Sequence, residues 1–296
     1  MENRRTDLAR EARELWQERA GETTRLPGVQ ARESVREGIG VTTVRILDEQ
    51  GEQALGKRRG SYVTLDLTGL ENREEDIFPR AVAAVAGQLR ELLAPVEEQG
   101  LVLVAGLGNR AVTPDAVGPM VHGKILVTRH LVQQLPGQFG TWRPVASLAA
   151  EVLGNTGVES GQVVRAVCGV IQPACVIAVD ELVSRSVERL CRTVQMSDTG
   201  IAPGSGVGNH RMALDRESLG VPVIAVGVPT AVDGATLCAD LLGQEDIPET
   251  GQGRGMLVTP KDIDARVRDL AKVVGYGIDL ALQPGLELEE LELLLE

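Results

Sequence analysis

The stretch GLGNRAVTPDAVGP, residues 106–119, follows the apolar run LVLVA and carries Asp115 beyond a glycine turn. Two chemistries begin this way. A phosphate-binding loop uses glycines so that backbone N–H groups can approach an anion, whereas a catalytic carboxylate is held at the end of a buried strand. The phosphate pattern is incomplete. GLGNRAV lacks the third glycine of GxGxxG, no Lys-Ser/Thr pair follows it, and GSGVGN at 204–209 has other spacing and follows a loop, not a strand.

The carboxylate reading has a second member. Asp180 closes CVIAVD, an apolar strand, and is expected at the carboxyl edge of the sheet, where open α/β folds place ligands. Thr113 as N-cap and Pro114 at the first helical position put Asp115 in a helix first turn, where the dipole favours an anion. An acid there ordinarily just stabilises its helix. Gly118-Pro119, which would break that helix in its second turn, points to a further constraint. Two converging aspartates can share a proton, one acting as base on water and the other as acid. The same two can hold a divalent cation through oxygen ligands.

Other chemistries lack their parts. His122, His130 and His210 form no HExxH or HxxxH pattern, and PGSGVG makes no nucleophile elbow. The net charge of −12 argues against direct nucleic-acid binding, which needs cationic side chains facing phosphates. Aromatics at 2% leave no platforms for stacked bases or sugars. Cys168, Cys175, Cys191 and Cys238 have no paired spacing and read as reduced thiols of an intracellular protein. Apolar runs are too short to span a bilayer and no signal peptide opens the chain, so a soluble cytoplasmic protein is expected.

The elements that must position the aspartates alternate along the chain. Leu8, Ala12, Leu15 and Trp16 share a helical face over 8–20. VTTVRIL and SYVTLDL alternate with period two and are expected as an antiparallel hairpin at about 40–67, joined by the polar, mobile loop 48–60. A stripe of Phe78, Val82, Val85, Leu89 and Leu92 predicts a helix, and LVLVAG a strand buried on both faces. Further on, 159–173 reads as a helix with Val163, Val167, Val170 and Ile171 inward, and 181–191 as a short helix. RTVQM and VPVIAVGVP read as strands, and Thr259 caps a long helix with Pro260 at its first position. Alternating strands and helices imply a three-layer α/β/α fold with a mostly parallel sheet and a small antiparallel excursion near the N-terminus. The acidic tail at about 285–296 reads as frayed or packed on a neighbouring subunit.

The segments GLGNRAVTPDAVGP, LVTRHL, VIAVDELVSRS, SDTGIAPGSGVGNHR and LGVPVIAVGVPTAVD, in order across about residues 5–240, resemble the germination proteases of spore-forming bacteria. The resemblance implies an endopeptidase, made as a self-processing zymogen, that starts the degradation of small acid-soluble spore proteins during germination. It implies a fold similar to the hydrogenase-maturation endopeptidases, a homotetramer, and a place in the cytoplasm of the forespore and spore core. The family's two essential aspartates map to Asp115 and Asp180, acting as an aspartic-type pair with no cofactor. A divalent metal on the same two aspartates, as in the hydrogenase-maturing relatives, is the alternative, and a non-enzymatic metal-binding module on that scaffold is the other.

Gly108, Asn109, Asp198, Gly204, Ser205 and Gly206 are expected to line the crevice. Family members cut between an acidic and a large apolar residue followed by Ala and, two residues on, Glu. TDLARE at 6–11 fits, with Asp7 before the cut and Leu8 after it, although Arg10 replaces a usual small residue. Residues 1–7 are then a propeptide and 8–296 one peptidase domain.

Overall fold

A computed structural model describes residues 6–20, 26–202, 212–242 and 256–295, without the side chains of 15–20 and 240. Its strands are β1 (Val29–Arg36), β2 (Ile39–Ile46), β3 (Gly60–Asp66), β4 (Val102–Leu107), β5 (Val145–Ala150), β6 (Cys175–Ser184), β7 (Thr193–Ser197), β8 (Val223–Asp233) and β9 (Leu257–Val258). They form one sheet in the order β1-β2-β3-β7-β8-β6-β4-β5, with β9 paired to β8. Parallel pairing is confined to the β8-β6-β4-β5 half. The β1-β2-β3-β7 half is antiparallel and joins β8 through β7, so the antiparallel part is far larger than one small excursion.

The helices that matter here are α1 (Ala9–Ala20), α2 (Glu49–Leu55), α3 (Ile77–Leu93), α4 (Val117–His122), α5 (Ser160–Ile171), α6 (Ile263–Leu282) and α7 (Leu288–Leu295). Strand residues alternate between two cores, as the pleat requires. Val104, Ile177, Val179 and Val226 face α3, α4 and α6, whereas Leu103, Ala105, Val176 and Ala178 face α5. Val44, Ile46 and Tyr62 pack with Ala9 and Leu55, so α1 and α2 cover the antiparallel half. Each such fully buried aliphatic side chain contributes about 1.5–3 kcal/mol. The expected α3 stripe is in place, with Val82, Val85 and Leu89 buried and Phe78 packed against the same core.

Several local expectations are corrected. Residues 48–60 hold α2, because Asp48 accepts the Gly51 N–H as a side-chain N-cap and Gly56 closes the helix in the left-handed region. Residues 181–184 continue β6 instead of starting a helix, since β8 runs alongside as far as Asp233 and supplies partners. Only a single 3-10 turn, Val187–Arg189, follows. On α5 the expected Val167 and Ile171 do pack on the core, beside the more deeply buried Val164 and Cys168, while Val170 is 83% exposed. Thr259 and Pro260 lie ahead of α6, whose N-cap is Asp262. The acidic tail forms α7, which docks on α6 through buried Leu291 and a 2.8 Å Lys272–Glu292 pair.

Candidate active site

β4 stops at Leu107, level with Asp180 and four residues short of the C-terminal end of its neighbour β6. The loop that leaves β4 is therefore free to fold back beside the exposed half of β6. Gly108 starts it at φ +115°, and a Cβ there would fall 2.1 Å from the Asp115 carbonyl oxygen and 2.6 Å from its Oδ1. Only glycine lets the backbone pass so close to Asp115. The Asn109 N–H then donates to the Asp115 carbonyl at 2.9 Å, and the Asn109 side chain accepts from Ala111 N–H and Asn155 Nδ2. Thr113, Pro114 and Asp115 form a 3-10 turn with Val112 at the N-cap, so Thr113 is the first turn residue and not the cap. Thr113 Oγ1 instead donates to Asp264 on α6 at 2.8 Å.

Gly118-Pro119 does not interrupt a helix. It lies in the first turn of α4, where a missing N–H costs nothing. A Cβ on Gly118 would meet the Leu107 oxygen at 2.2 Å and the Val179 oxygen at 2.5 Å. The glycine lets α4 press onto the end of β4 and the middle of β6, which fixes the Asp115 turn above them.

Asp180 lies within β6, not at its end, and is 5% exposed. Burial pushes its carboxyl well above the usual carboxylate range, and the negative charges of Glu181, Asp115 and Asp7 push the same way. The two aspartates picked out in the sequence are thus near enough for one to bias the proton on the other. Asp180 sits opposite Gly227 on β8, and Gly227 opposite Gln195 on β7. Without a side chain between them, Asp180 and Gln195 both line a cleft of about 280 Å³, together with Lys57, Leu182 and Thr199. Asp115, Gly108 and Asn109 are not among the residues that line this cleft.

The chain's own N-terminal segment enters the cleft. Asp7 N–H donates to the Val183 carbonyl at 2.9 Å, and Val183 N–H donates back to Asp7 Oδ2 at 2.9 Å. Gln195 Nε2 donates to the Asp7 carbonyl at 3.1 Å, and its Oε1 accepts Ala9 N–H at 2.7 Å. Leu8, between them, is wholly buried. Asp7 thus lines the same cleft as Asp180, and its carbonyl, on the acyl side of the Asp7–Leu8 bond, is held there by Gln195. Burial lowers the Lys57 pKa, while the charges of Asp7 and Glu11 hold it up.

The remaining expected residues scatter. Asp198 is exposed and accepts Ser61 N–H at 2.7 Å, leaving the cleft wall to its neighbours Thr199 and Gly200. Gly204, Ser205 and Gly206, like His210, lie outside the described residues. His122 Nδ1 is 2.8 Å from Ser147 Oγ, and burial lowers its pKa. Among the described residues no group of three or more His, Cys, Asp or Glu is placed to hold a metal ion. Sequence reasoning missed Gln195, Lys57 and Gly227. Gln195 had a signal, a polar residue inside the strand RTVQM, whereas Lys57 was hidden in a stretch read as a loop.

Comparison with known proteins gives a consistent neighbourhood. A family model described as germination protease matches residues 9–244. A germination protease of Caldanaerobacter subterraneus is 44% identical, over 98% of each chain. One from Clostridium perfringens is 42% identical over 98% of each chain, and one from Bacillus cytotoxicus 35% over 94% of this chain and 93% of that one. Among solved structures, the NiFe hydrogenase maturation protease HycI from Thermococcus kodakarensis aligns with a TM-score of 0.36 at 15% identity, covering 64% of this chain and 98% of that one.

Proposed function

The chain belongs to the germination protease family, a peptidase family of spore germination, and from that premise we propose that it cleaves small acid-soluble spore proteins after removing its own residues 1–7. The observation that carries this reading is Asp7 lining the same cleft as Asp180, with its carbonyl held by Gln195 and with the charges of Asp7 and Asp115 acting on Asp180.

The roles follow from the environments. Asp180, whose burial among negative charges favours its protonated form, is the acid. Asp115, half-buried on its turn, is the base. It takes a proton from water as the oxygen adds to the Asp7 carbonyl carbon. The Asp7 carbonyl, now an oxyanion, keeps its bond from Gln195 Nε2. Asp180 gives its proton to the Leu8 nitrogen as the carbon–nitrogen bond breaks, leaving an Asp7 carboxyl group and a free Leu8 amine. The proton held by Asp115 then returns the pair to its starting state.

The same cleft serves protein substrates cut between an acidic and a large apolar residue. Val183 N–H on the Asp7 carboxylate supports the acidic preference, and the complete burial of Leu8 supports the apolar one. The pair works without a metal or other cofactor, as a homotetramer in the cytoplasm of the forespore and spore core, and touches no nucleic acid directly. Among the described residues no helix is long and apolar enough to cross a membrane. Incubating the processed chain with a small acid-soluble spore protein, with and without a chelator, tests this. Cutting before a large apolar residue in both conditions is expected, and loss of cutting with chelator would move the chemistry to a bound metal.

A further inference from the structure

The sheet face opposite the cleft holds a second hollow. The tip of the β1-β2 hairpin is tied to α3, where Arg80 donates to the Glu37 carbonyl at 2.9 Å and the Gly38 carbonyl at 3.1 Å, and Arg36 pairs with Glu91. Behind this tie, the strand faces and the C-terminal half of α3 enclose about 1430 Å³, more than the roughly 300–1,000 Å³ of a small-molecule site. Arg32 on β1 stands opposite Thr43 on β2, and Thr43 opposite Val63 on β3, which packs in the α3 core. Gln195 stands opposite Thr64, the next residue, and so belongs to the other face.

Two features mark the hollow as a site. Gln88 of α3 lines it and is 4% exposed, yet among the described residues its carboxamide has no hydrogen-bond partner. Burying such a group unpaired is unfavourable, so a ligand that offers it an acceptor and a donor is favoured. A peptide backbone offers both.

The second feature is charge. The chain carries −12 overall, but Arg13, Arg32, Arg36 and Arg45 line this hollow. Its two acids are already engaged, Glu91 by Arg36 and Asp198 by Ser61 N–H at 2.7 Å. Arg32 and Arg45 are exposed and meet no carboxylate among the described residues. Arg45 lies opposite Gln30, which makes Arg32 and Arg45 diagonal neighbours about 7–8 Å apart. Side chains two positions apart on an extended peptide are about 6.6–6.8 Å apart, close to that separation.

We propose that this hollow binds an acidic segment of a partner protein in extended form, with carboxylates at alternate positions on Arg32 and Arg45 and its backbone on the Gln88 carboxamide. The segment and the cleft lie on opposite faces of the sheet, so both are filled at the same time. The site does not depend on what the cleft does.

The test is binding of a fluorescent peptide of alternating Glu and Ser to the full chain at low salt, beside its counterpart with Gln for every Glu. The Glu peptide is expected to bind at least about fivefold tighter and to lose that margin as salt rises. Arg32→Gln together with Arg45→Gln should bring the preference below about twofold. Gln88→Leu, similar in size but without the polar ends, should weaken both peptides at least about threefold and keep the preference. Saturating Glu peptide should leave the rate at which residues 1–7 are lost unchanged. Equal binding of the two peptides, binding of neither, a preference that survives the double arginine change, unchanged binding in Gln88→Leu, or competition with loss of residues 1–7 would overturn the proposal. So would sedimentation in which the double arginine change alters the oligomeric state while neither peptide binds, which would assign the hollow to a second copy of this chain. The two-peptide comparison uses the unaltered chain and does not depend on how the variants fold. A chain that never loses residues 1–7 would fail the cleavage reading, while the peptide comparison would still decide this one.

Discussion

Gln195 holds Asp7 by its carbonyl oxygen, Nε2 to oxygen 3.1 Å, while the other end of the same carboxamide accepts Ala9 N–H at 2.7 Å. One side chain thus grips the peptide on both sides of the Asp7–Leu8 bond. The donor to the carbonyl strengthens as that oxygen takes up charge, so its loss falls on the rate. Gln195→Met keeps the length and removes both polar ends. Loss of residues 1–7, followed by mass spectrometry over time, is expected to slow by about a hundredfold or more, as for other oxyanion donors. An unchanged rate would reduce Gln195 to a packing residue.

The proton on Asp180 has a cost in stability that pH reveals. Its folded pKa is raised, so between the ordinary carboxylate value and that raised value the folded chain keeps a proton that the unfolded chain has lost. Stability from this group is therefore full at acid pH and falls as pH rises through that window. Asp180→Asn removes the titration. Thermal melts should show the variant gaining on the wild type as pH rises above the ordinary carboxylate value of about 4, with activity lost throughout. A difference constant with pH would mean that Asp180 titrates as an ordinary aspartate.

Asp115 contributes to that shift through its charge. Infrared spectroscopy should show, above the ordinary carboxylate range, a protonated carboxyl component that is lost in Asp180→Asn, in addition to any from buried Asp279. In Asp115→Asn the same band should titrate at lower pH, because one of the charges opposing ionisation is gone. A band that titrates identically would separate the two aspartates electrostatically and undo their pairing.

Gly118 carries the turn that holds Asp115. A methyl group there would land 2.2 Å from the Leu107 oxygen, a contact with rigid backbone. Gly118→Ala is expected to cost about 1–3 kcal/mol in urea unfolding and to lower activity beyond what the lost stability explains, by lifting the turn off β4. Full activity at wild-type stability would show that α4 can shift without moving Asp115.

Both aspartates were legible in the sequence because each follows an apolar run, and such runs mark buried strands whatever lies around them. How they meet was not. The length of β6 past Asp180 depends on β8, a partner distant in sequence, so ELVS reads equally well as a helix start. The strand β5, VASLAA, and the strand β1, VQARESVR, carry weak patterns because one is rich in small residues and the other is a solvated edge. Asp48 and Gly56 were ordinary start and stop signals for α2, hidden by the polarity of the stretch between them. Glu11 and Arg189 lie far apart in the chain, and only the fold shows that one caps the turn carrying the other.

The mass of the purified chain after incubation, measured for the wild type and for Asp115→Asn and Asp180→Asn, tests the aspartate pair most directly. The expected result is a wild-type chain that begins at Leu8 and two variants that keep residues 1–7 indefinitely. A variant that loses residues 1–7 at the wild-type rate, or a wild type cut at some other bond, would contradict it.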